Sequence, residues 1–560
     1  MFSHASKMKF GMKFKLIGRS VVNFRELVAA LALCVGTIAG AAAHSAAEDS
    51  ASRPHSAERA DIARFRARVA AVLSQANAEK LNWGIAIADR STGQSLFELN
   101  ADHFFTPASN AKVVTTALAL ADLGSDFRFR TTLESAAAPG SDGRLAGDLV
   151  LVGRGDPDLS NRRFPFAGHA ERAGPVEKVL AELVDQAVAK GLREIDGDIV
   201  VDDSYYPYDP YPAGWSSGDL FFTFGAPVSA ICYNDNTIFV TIGPGAHLGD
   251  PAVVTTEPEA ARSAFASDIT TGLADTAPDF AVVRVPGANF ILLRGAIGIG
   301  RTPTRLDIAM TAPAETAALS LKQLLEMHGV RITGAARAHH GPPPYSNAAG
   351  EPILHMPPEP TAAILNANPA VLAEHISQPL LETVRFTNKM SHNLHAELLL
   401  RAVGQERLGV GSTAAGLKME REFLRAAGVA DGDILLNDGS GLARDDLVTP
   451  RGMVALLQYA ARQPWGSDFH STLPIAGSDG TLEGRMTGTA ASGLIQAKTG
   501  EIDHVRGLSG YATTLRGESL VFSIFYNNNP QHGLGTAAPV DAIANAMVET
   551  LGPAPAAKKK

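Results

Sequence analysis

Cysteine is nearly missing from this chain. It has two in 560 residues, Cys34 in an N-terminal leader and Cys232 in the body, and a lone body cysteine cannot close an intramolecular disulfide. Stability must therefore come from buried cores, which this length readily provides. Aromatic residues are sparse at 6%. After the leader no segment is long enough and free enough of charge to cross a bilayer. Positive charge is in deficit, with 49 Lys and Arg against 58 Asp and Glu and a formal net charge of −9. An acidic chain without clustered Lys and Arg is a poor partner for phosphate backbones, which argues against nucleic acid.

Residues 1–43 read as a secretory signal peptide. A basic stretch (Lys7, Lys9, Lys13, Lys15, Arg19, Arg25) precedes an apolar run from Leu27 to Ala39 and the small-residue exit Ala41-Ala42-Ala43, the three parts such leaders share. A lipoprotein reading of Leu31-Ala32-Leu33-Cys34 is the rival, against which Leu33 stands where a small residue is expected. The mature protein is expected to be exported to the periplasm with no transmembrane anchor, and more acidic once those basic residues are removed. Residues 553–560, ending Lys558-Lys559-Lys560, are expected to be a solvated tail.

The mature length suggests roughly three domains. Apolar residues at helical spacing over 57–75 lead to a hairpin, Trp83 to Ala88 and Ser95 to Leu99, and then to a buried helix running to Leu123. Between 127 and 351 short β-branched runs alternate with Gly/Pro turns and two helices, a strand-rich insertion of two small domains. Helical texture returns from about 360, and three strands (Leu494 to Lys498, Leu508 to Thr514, Leu520 to Tyr526) precede a closing helix. The expected architecture is a split α+β catalytic domain, 50–126 plus 352–552, interrupted by the insertion.

Three short motifs carry the chemistry: Ser109-Asn110-Ala111-Lys112, Ser391-His392-Asn393 and Lys498-Thr499-Gly500. Ser109 and Lys112 are three apart at a helix start, since Pro107 cannot lie in a helix interior, so both project from one face. A hydroxyl is a poor nucleophile until a base takes its proton. A lysine can act as that base only if burial or a second cation keeps it neutral, and Lys498 could be that cation. Ser391 and Asn393 offer a second hydroxyl and an amide from a turn between helices. Gly500 leaves room for another backbone, such as a substrate, to approach. Each motif has an ordinary alternative, a capped helix, a polar turn or an edge-strand lysine; Ser6-Lys7-Met8-Lys9 in the leader matches the first by accident.

Two further patterns lack their required context. Gly214-Trp215-Ser216-Ser217-Gly218 fits a nucleophile elbow, but Tyr208-Asp209-Pro210-Tyr211-Pro212 before it cannot be a central strand. His392, His395 and Glu397 could ligate a metal by spacing, yet no third ligand falls at a characteristic distance. Neither a metal nor a cofactor is expected.

The motifs and their surroundings resemble the low-molecular-mass class C penicillin-binding proteins, a family of D-alanyl-D-alanine carboxypeptidases and endopeptidases. The likeness runs from Phe105-Thr106-Pro107-Ala108-Ser109 through Gly155-Asp156-Pro157-Asp158-Leu159, Asn388-Lys389-Met390-Ser391-His392-Asn393 and Asp438-Gly439-Ser440-Gly441-Leu442-Ala443-Arg444 to Ala497-Lys498-Thr499-Gly500. The long gap between Lys112 and Ser391 matches the family's habit of inserting domains there. This chain departs from the family at His392, where Asp is usual, and at Glu501, where Ser or Thr is usual.

The resemblance implies a penicillin-binding/β-lactamase-like serine transpeptidase fold and a serine DD-peptidase acting on peptidoglycan stem peptides, with β-lactams as inhibitors. It implies Ser109 as nucleophile, Lys112 as base, Ser391 as proton relay, Asn393 on the acyl amide, and Lys498 with Thr499 on the terminal carboxylate. The Ser109 and Glu501 N–H groups would form the oxyanion hole. Asp156 and Arg444 are expected beside the substrate side chain, and His392 is expected to point away from it. Two rival readings are a β-lactamase, for which Asp433-Ile434-Leu435-Leu436-Asn437 only approximates the deacylating motif, and a catalytically silent wall-binding protein.

Overall fold

A computed structural model describes residues 59–75, 78–284, 290–344, 369–531 and 534–552. The leader, the 352 boundary and the tail lie outside them. All described residues belong to one unit, Arg59–Lys560. Among them no helix is long and apolar enough to cross a membrane.

The catalytic portion is built on a five-stranded antiparallel sheet in the order Ile495–Ile502, Val505–Thr513, Ser519–Asn527, Asn82–Asp89, Ser95–Leu99. Side chains alternate faces along a strand, and this period of two sorts the core. Ile85, Ile87, Leu520, Phe522 and Ile524 face helices Ala60–Leu73 and Ala538–Thr550 through Phe65, Val69, Ile543 and Met547. Ala86, Ala88, Val521 and Phe525 face the opposite layer, in which Leu118, Leu399 and Leu456 join them from helices Ala111–Asp122, Asn393–Leu408 and Pro450–Ala461. The small Ala86 and Ala88 leave room for helix Pro450–Ala461 to lie against the sheet, while the Ser109 turn meets the strand Ile495–Ile502.

The insertion contributes a mixed five-stranded sheet, Ala336–His339, Ile199–Asp202, Leu149–Val152, Arg130–Ser135, Ala370–Ile376, backed by helices Lys178–Ala189 and Pro313–Met327. Three three-stranded sheets complete it among the described residues. Leu151, Leu183, Ile238, Ile269, Leu293 and Leu321 from these parts share a single continuous core. The last strand, Ala370–Ile376, counted by sequence with the catalytic portion, is hydrogen-bonded to Arg130–Ser135 of the insertion.

The hairpin and both insertion helices form where periodicity placed them. The strand bearing Lys498 does not end there but continues to Ile502. Its partner Val505–Thr513 is close enough in sequence to extend the ladder through the tight turn at Asp503 and His504.

Candidate active site

Ser109 sits in a 3-10 turn, Ala108–Asn110, that leads directly into the buried helix Ala111–Asp122. Ala108 has φ +49°, a left-handed conformation that costs an L-residue roughly 1–2 kcal/mol. The turn is gripped from two sides. A Cβ on Gly441 would lie 1.9 Å from the Ala108 carbonyl oxygen, and one on Gly500 would lie 2.4 Å from that of Pro107. The backbone that Gly500 admits is therefore the turn that carries Ser109 rather than a substrate.

The second motif is a junction of two helices. Ser391 closes helix Leu380–Met390 in the left-handed conformation, φ +57°, and His392, in extended conformation, caps helix Asn393–Leu408 by accepting the His395 N–H at 3.4 Å. This stop and restart aims Ser391 and Asn393 into the cavity beside Ser109. Lys498 reaches the same place from the sheet. It shares a face with its cross-strand neighbours Ser509 and Ser523, all fully buried.

Lys112 Nζ donates to Ser109 Oγ at 2.9 Å, Asn393 Oδ1 at 2.6 Å and the Ser440 carbonyl at 2.6 Å. Lys498 Nζ donates to Ser391 Oγ at 2.8 Å and to its neighbour's carbonyl, Thr499 O, at 2.8 Å. Asn393 Nδ2 donates to the Phe224 carbonyl at 2.8 Å, and Thr499 Oγ1 to Thr481 Oγ1 at 2.8 Å. Burial, which disfavours the charged form, lowers the Lys112 ammonium from its usual 10.5 to about 7, against the opposing pull of Asp438, Glu397 and Asp446. Burial first, and then the Lys112 charge, hold Lys498 well below its ordinary value too.

An open cavity of about 380 Å³ lies over Ser109, Ser391 and Asn393, walled by Phe224, Arg444, Glu501 and Arg506 among others. Lys112 and Lys498 stand just behind this wall and touch it through Ser109 and Ser391, with Thr499 beside Lys498. The Glu501 side chain is mostly exposed and ion-paired with Arg506 across the hairpin at 2.8 Å. Asp433 is not among the lining residues.

Arg444 is in the cavity wall, where its guanidinium meets Asp219 Oδ2 at 3.3 Å and lies 4.0 Å from Asp503. It does not pair with Asp445 or Asp446. Asp156 requires a correction. Its side chain is 0% exposed, accepts from the Asp158 N–H and Thr131 Oγ1, and does not line the cavity, so it cannot meet a substrate side chain. The cavity carboxylate nearest Arg444 is Asp219, which sequence reasoning missed. The only pointer to it was the loop Gly214–Gly218 just before it, set aside as a false elbow. That stretch is indeed a loop without a preceding strand.

His392 faces away from Ser109 into a second cavity lined by Arg162, Arg172, Asp235 and Arg305, against the ring of His395, 4.2 Å away. Burial and His395 hold its imidazole well below the usual range. The spacing-based set His392, His395, Glu397 is not assembled. His395 Nε2 meets Asp235 at 3.0 Å, while Glu397 accepts the Gly439 N–H on another side of the helix.

A serine activated by a buried lysine, with a second serine bridged to a second lysine, on a sheet covered by helices on both faces, defines a serine acyl-transfer enzyme of the penicillin-binding type. The family model for the D-Ala-D-Ala carboxypeptidase 3 (S13) family matches residues 65–352 and 359–550, and the chain belongs to that family of serine DD-peptidases. It is similar to the D-alanyl-D-alanine carboxypeptidase of Actinomadura sp. (strain R39), 32% identical over 88% of this chain and 86% of that protein. It is also similar to D-alanyl-D-alanine carboxypeptidase DacB of Haemophilus influenzae, 28% identical over 81% of this chain and 87% of that one. The crystal structure of penicillin binding protein 4 (dacB) from H. influenzae superposes with a TM-score of 0.70 at 25% identity, covering 86% of this chain and 98% of that one. The α+β fold and the DD-peptidase reading drawn from the motifs are thereby borne out, and the β-lactamase and silent-binder readings are not favoured.

Proposed function

We propose that this protein works in the periplasm on peptidoglycan stem peptides. It removes a terminal D-alanine and opens cross-links that carry the same D-alanyl bond. The observation that carries the reading is the buried Lys112 amine, held near neutrality and 2.9 Å from the Ser109 hydroxyl. Ser109 Oγ attacks the carbonyl between the last two D-residues as Lys112 takes its proton. The oxyanion forms between the N–H groups of Ser109 and Glu501, so Glu501 contributes its backbone while its carboxylate is held aside by Arg506. Ser391, hydrogen-bonded to Lys498, relays a proton to the departing amine. Lys498 and Thr499 draw in the terminal carboxylate, and Asn393, fixed between Lys112 and Phe224, positions the acyl amide. Water then attacks the acyl-enzyme carbonyl and frees Ser109.

Arg444 and Asp219 give the cavity a guanidinium and a carboxylate side by side. A side chain ending in an ammonium and a carboxylate, as in diaminopimelate, is complementary to both, and Arg can engage the carboxylate with two parallel bonds. The test combines peptide mapping of a labelled-penicillin adduct with mass analysis of products from peptidoglycan fragments. The expected outcome is a slowly hydrolysed adduct on Ser109 and release of D-alanine. An adduct elsewhere, or drug turnover within seconds, overturns the reading. Arg444→Ala should impair a diaminopimelate peptide far more than a plain acyl-D-Ala-D-Ala ester; equal impairment would make Arg444 structural.

A further inference from the structure

Asp156, removed from the substrate site by its burial, has company. Asp156, Asp158 and His375 bring one ligand atom each to within 4.8 Å of one another. They come from two places. Asp156 and Asp158 belong to the Pro157–Ser160 turn, which Asp156 caps. His375 belongs to strand Ala370–Ile376, directly across from Thr131, whose hydroxyl orients Asp156 Oδ2 at 3.3 Å. His375 Nε2 approaches Asp156 Oδ2 to 3.6 Å, too far for a hydrogen bond.

Within this group buried polar atoms go without hydrogen-bond partners. Asp158 Oδ1 and His375 Nε2 are both buried and unpaired, while Asp158 Oδ2 accepts the Gln378 N–H. Orphaned buried atoms of this kind are costly, and two carboxylates converge here with no Lys or Arg among the described residues bonded to either. The other buried His-carboxylate group, Cys232, Asp235 and His395, differs in this respect. There Arg162 and Arg172 already pair with Asp235, leaving no charge for an ion to balance.

We propose that Asp156, Asp158 and His375 form a binding site for a divalent transition ion of the zinc type. An imidazole nitrogen with two carboxylate oxygens suits zinc, at ligand distances of about 2.0–2.2 Å. Calcium and magnesium favour larger all-oxygen shells. A separation of 3.6 Å between two donors fits ligands of one such ion. The ion would tie the insertion's turn to the strand that leads, through Gln378, into helix Leu380–Met390 and hence to Ser391. Its role is structural, and it takes no part in acyl transfer.

The experiment is equilibrium dialysis of the full mature chain against zinc, followed by elemental analysis and thermal melts with zinc or with chelator. The wild type should hold one zinc in this site and melt higher with zinc than with chelator. Asp158→Asn and His375→Gln should each lose that zinc and the zinc-dependent shift. Loss of a direct ligand should cost at least the ~10–100-fold in affinity typical of an outer-shell partner. Penicillin acylation of Ser109 reports whether each variant is folded. Zinc retained equally by both variants overturns the site. A wild-type melt indifferent to zinc and chelator also overturns it, even if neither variant folds; in that case the two carboxyls share a proton instead.

Discussion

If Lys112 is the base that deprotonates Ser109, the rate of acylation must follow the fraction of Lys112 that is neutral. With its ammonium lowered to about 7 by burial, the neutral fraction is ~50% at pH 7, ~10% at pH 6 and ~1% at pH 5. The second-order rate constant for acylation by a fluorescent penicillin should therefore rise about 50-fold between pH 5 and pH 7. That dependence reports the free enzyme. If Lys498 attracts the drug's carboxylate, as proposed, the rate should turn down again at high pH, because its ammonium too is held below its ordinary value. The Lys112 charge bears on Lys498, so one positive charge between the two amines is favoured over two. The two limbs then belong to the pair. Stopped-flow fluorescence across pH 5–10 gives the profile, and Lys112→Ala should be unreactive at every pH while melting as a folded protein. A rate that stays flat from pH 5 to 8, or a Lys112→Ala variant that still acylates with the wild-type pH profile, would refute the assignment.

Lys498→Ala should weaken binding of a D-Ala-D-Ala peptide as well as slow acylation, by at least ~10-fold in kcat/KM, because a charge-assisted contact is lost; steady-state kinetics separates the two effects. Gly500→Ala drives a Cβ into Pro107 O and Asn110 Nδ2, each 2.4 Å away. The expected result is ~1–3 kcal/mol lower stability in denaturant titration, the usual cost of overpacking, together with lost acylation. Burial, and then Asp438, push the Asp446 carboxyl from 3.8 up to about 10. It is thus neutral when folded and ionised when unfolded over most of that span, and its contribution to stability falls as pH rises from ~4 toward ~10. Asp446→Asn should leave stability near wild type at pH 4.5 and raise it by at least ~1 kcal/mol at pH 9, a difference that thermal melts at the two pH values will read.

Sequence made the three motifs legible because each is local. Ser109 and Lys112 are one helical turn apart, Ser391 and Asn393 span one helix junction, and Lys498 to Gly500 are consecutive. The hairpin and the helices around Leu118 and Leu183 were legible through apolar periodicity. Strands Phe265–Gly272 and Thr304–Ala309 were not, because each puts only two large apolar residues on its inward face, Phe265 with Ile269 and Leu306 with Ile308. Pairing of Ala370–Ile376 with Arg130–Ser135 joins residues more than two hundred positions apart, which no local pattern reports. Asp219 was invisible for the same reason, since it becomes a site residue only when its loop folds against Arg444. Asp156 misled in the opposite direction. A motif places it near the substrate in name, but its side chain caps its own turn and is buried under His375.

The Asp438-Gly439-Ser440-Gly441 stretch entered by resemblance, and the structure supplies its physical reason. The Asp438 carboxylate accepts the N–H groups of Ser440, Gly441, Leu442 and Ala443 and the indole N–H of Trp215 at 2.7 Å, so one buried anion dictates the path of the whole loop. That path turns the Ser440 carbonyl toward Lys112 Nζ. It brings Gly441 against the carbonyl of Ala108 and delivers Arg444 to the cavity wall beside Asp219. The same anion acts on Lys112 through space, opposing the loss of its proton. Trp215 ties the loop to the insertion segment that carries Asp219 and Phe224. Lys112, the turn that carries Ser109 and the Asp219–Arg444 pair are therefore set by a single side chain, and the insertion, through Trp215, is part of that arrangement.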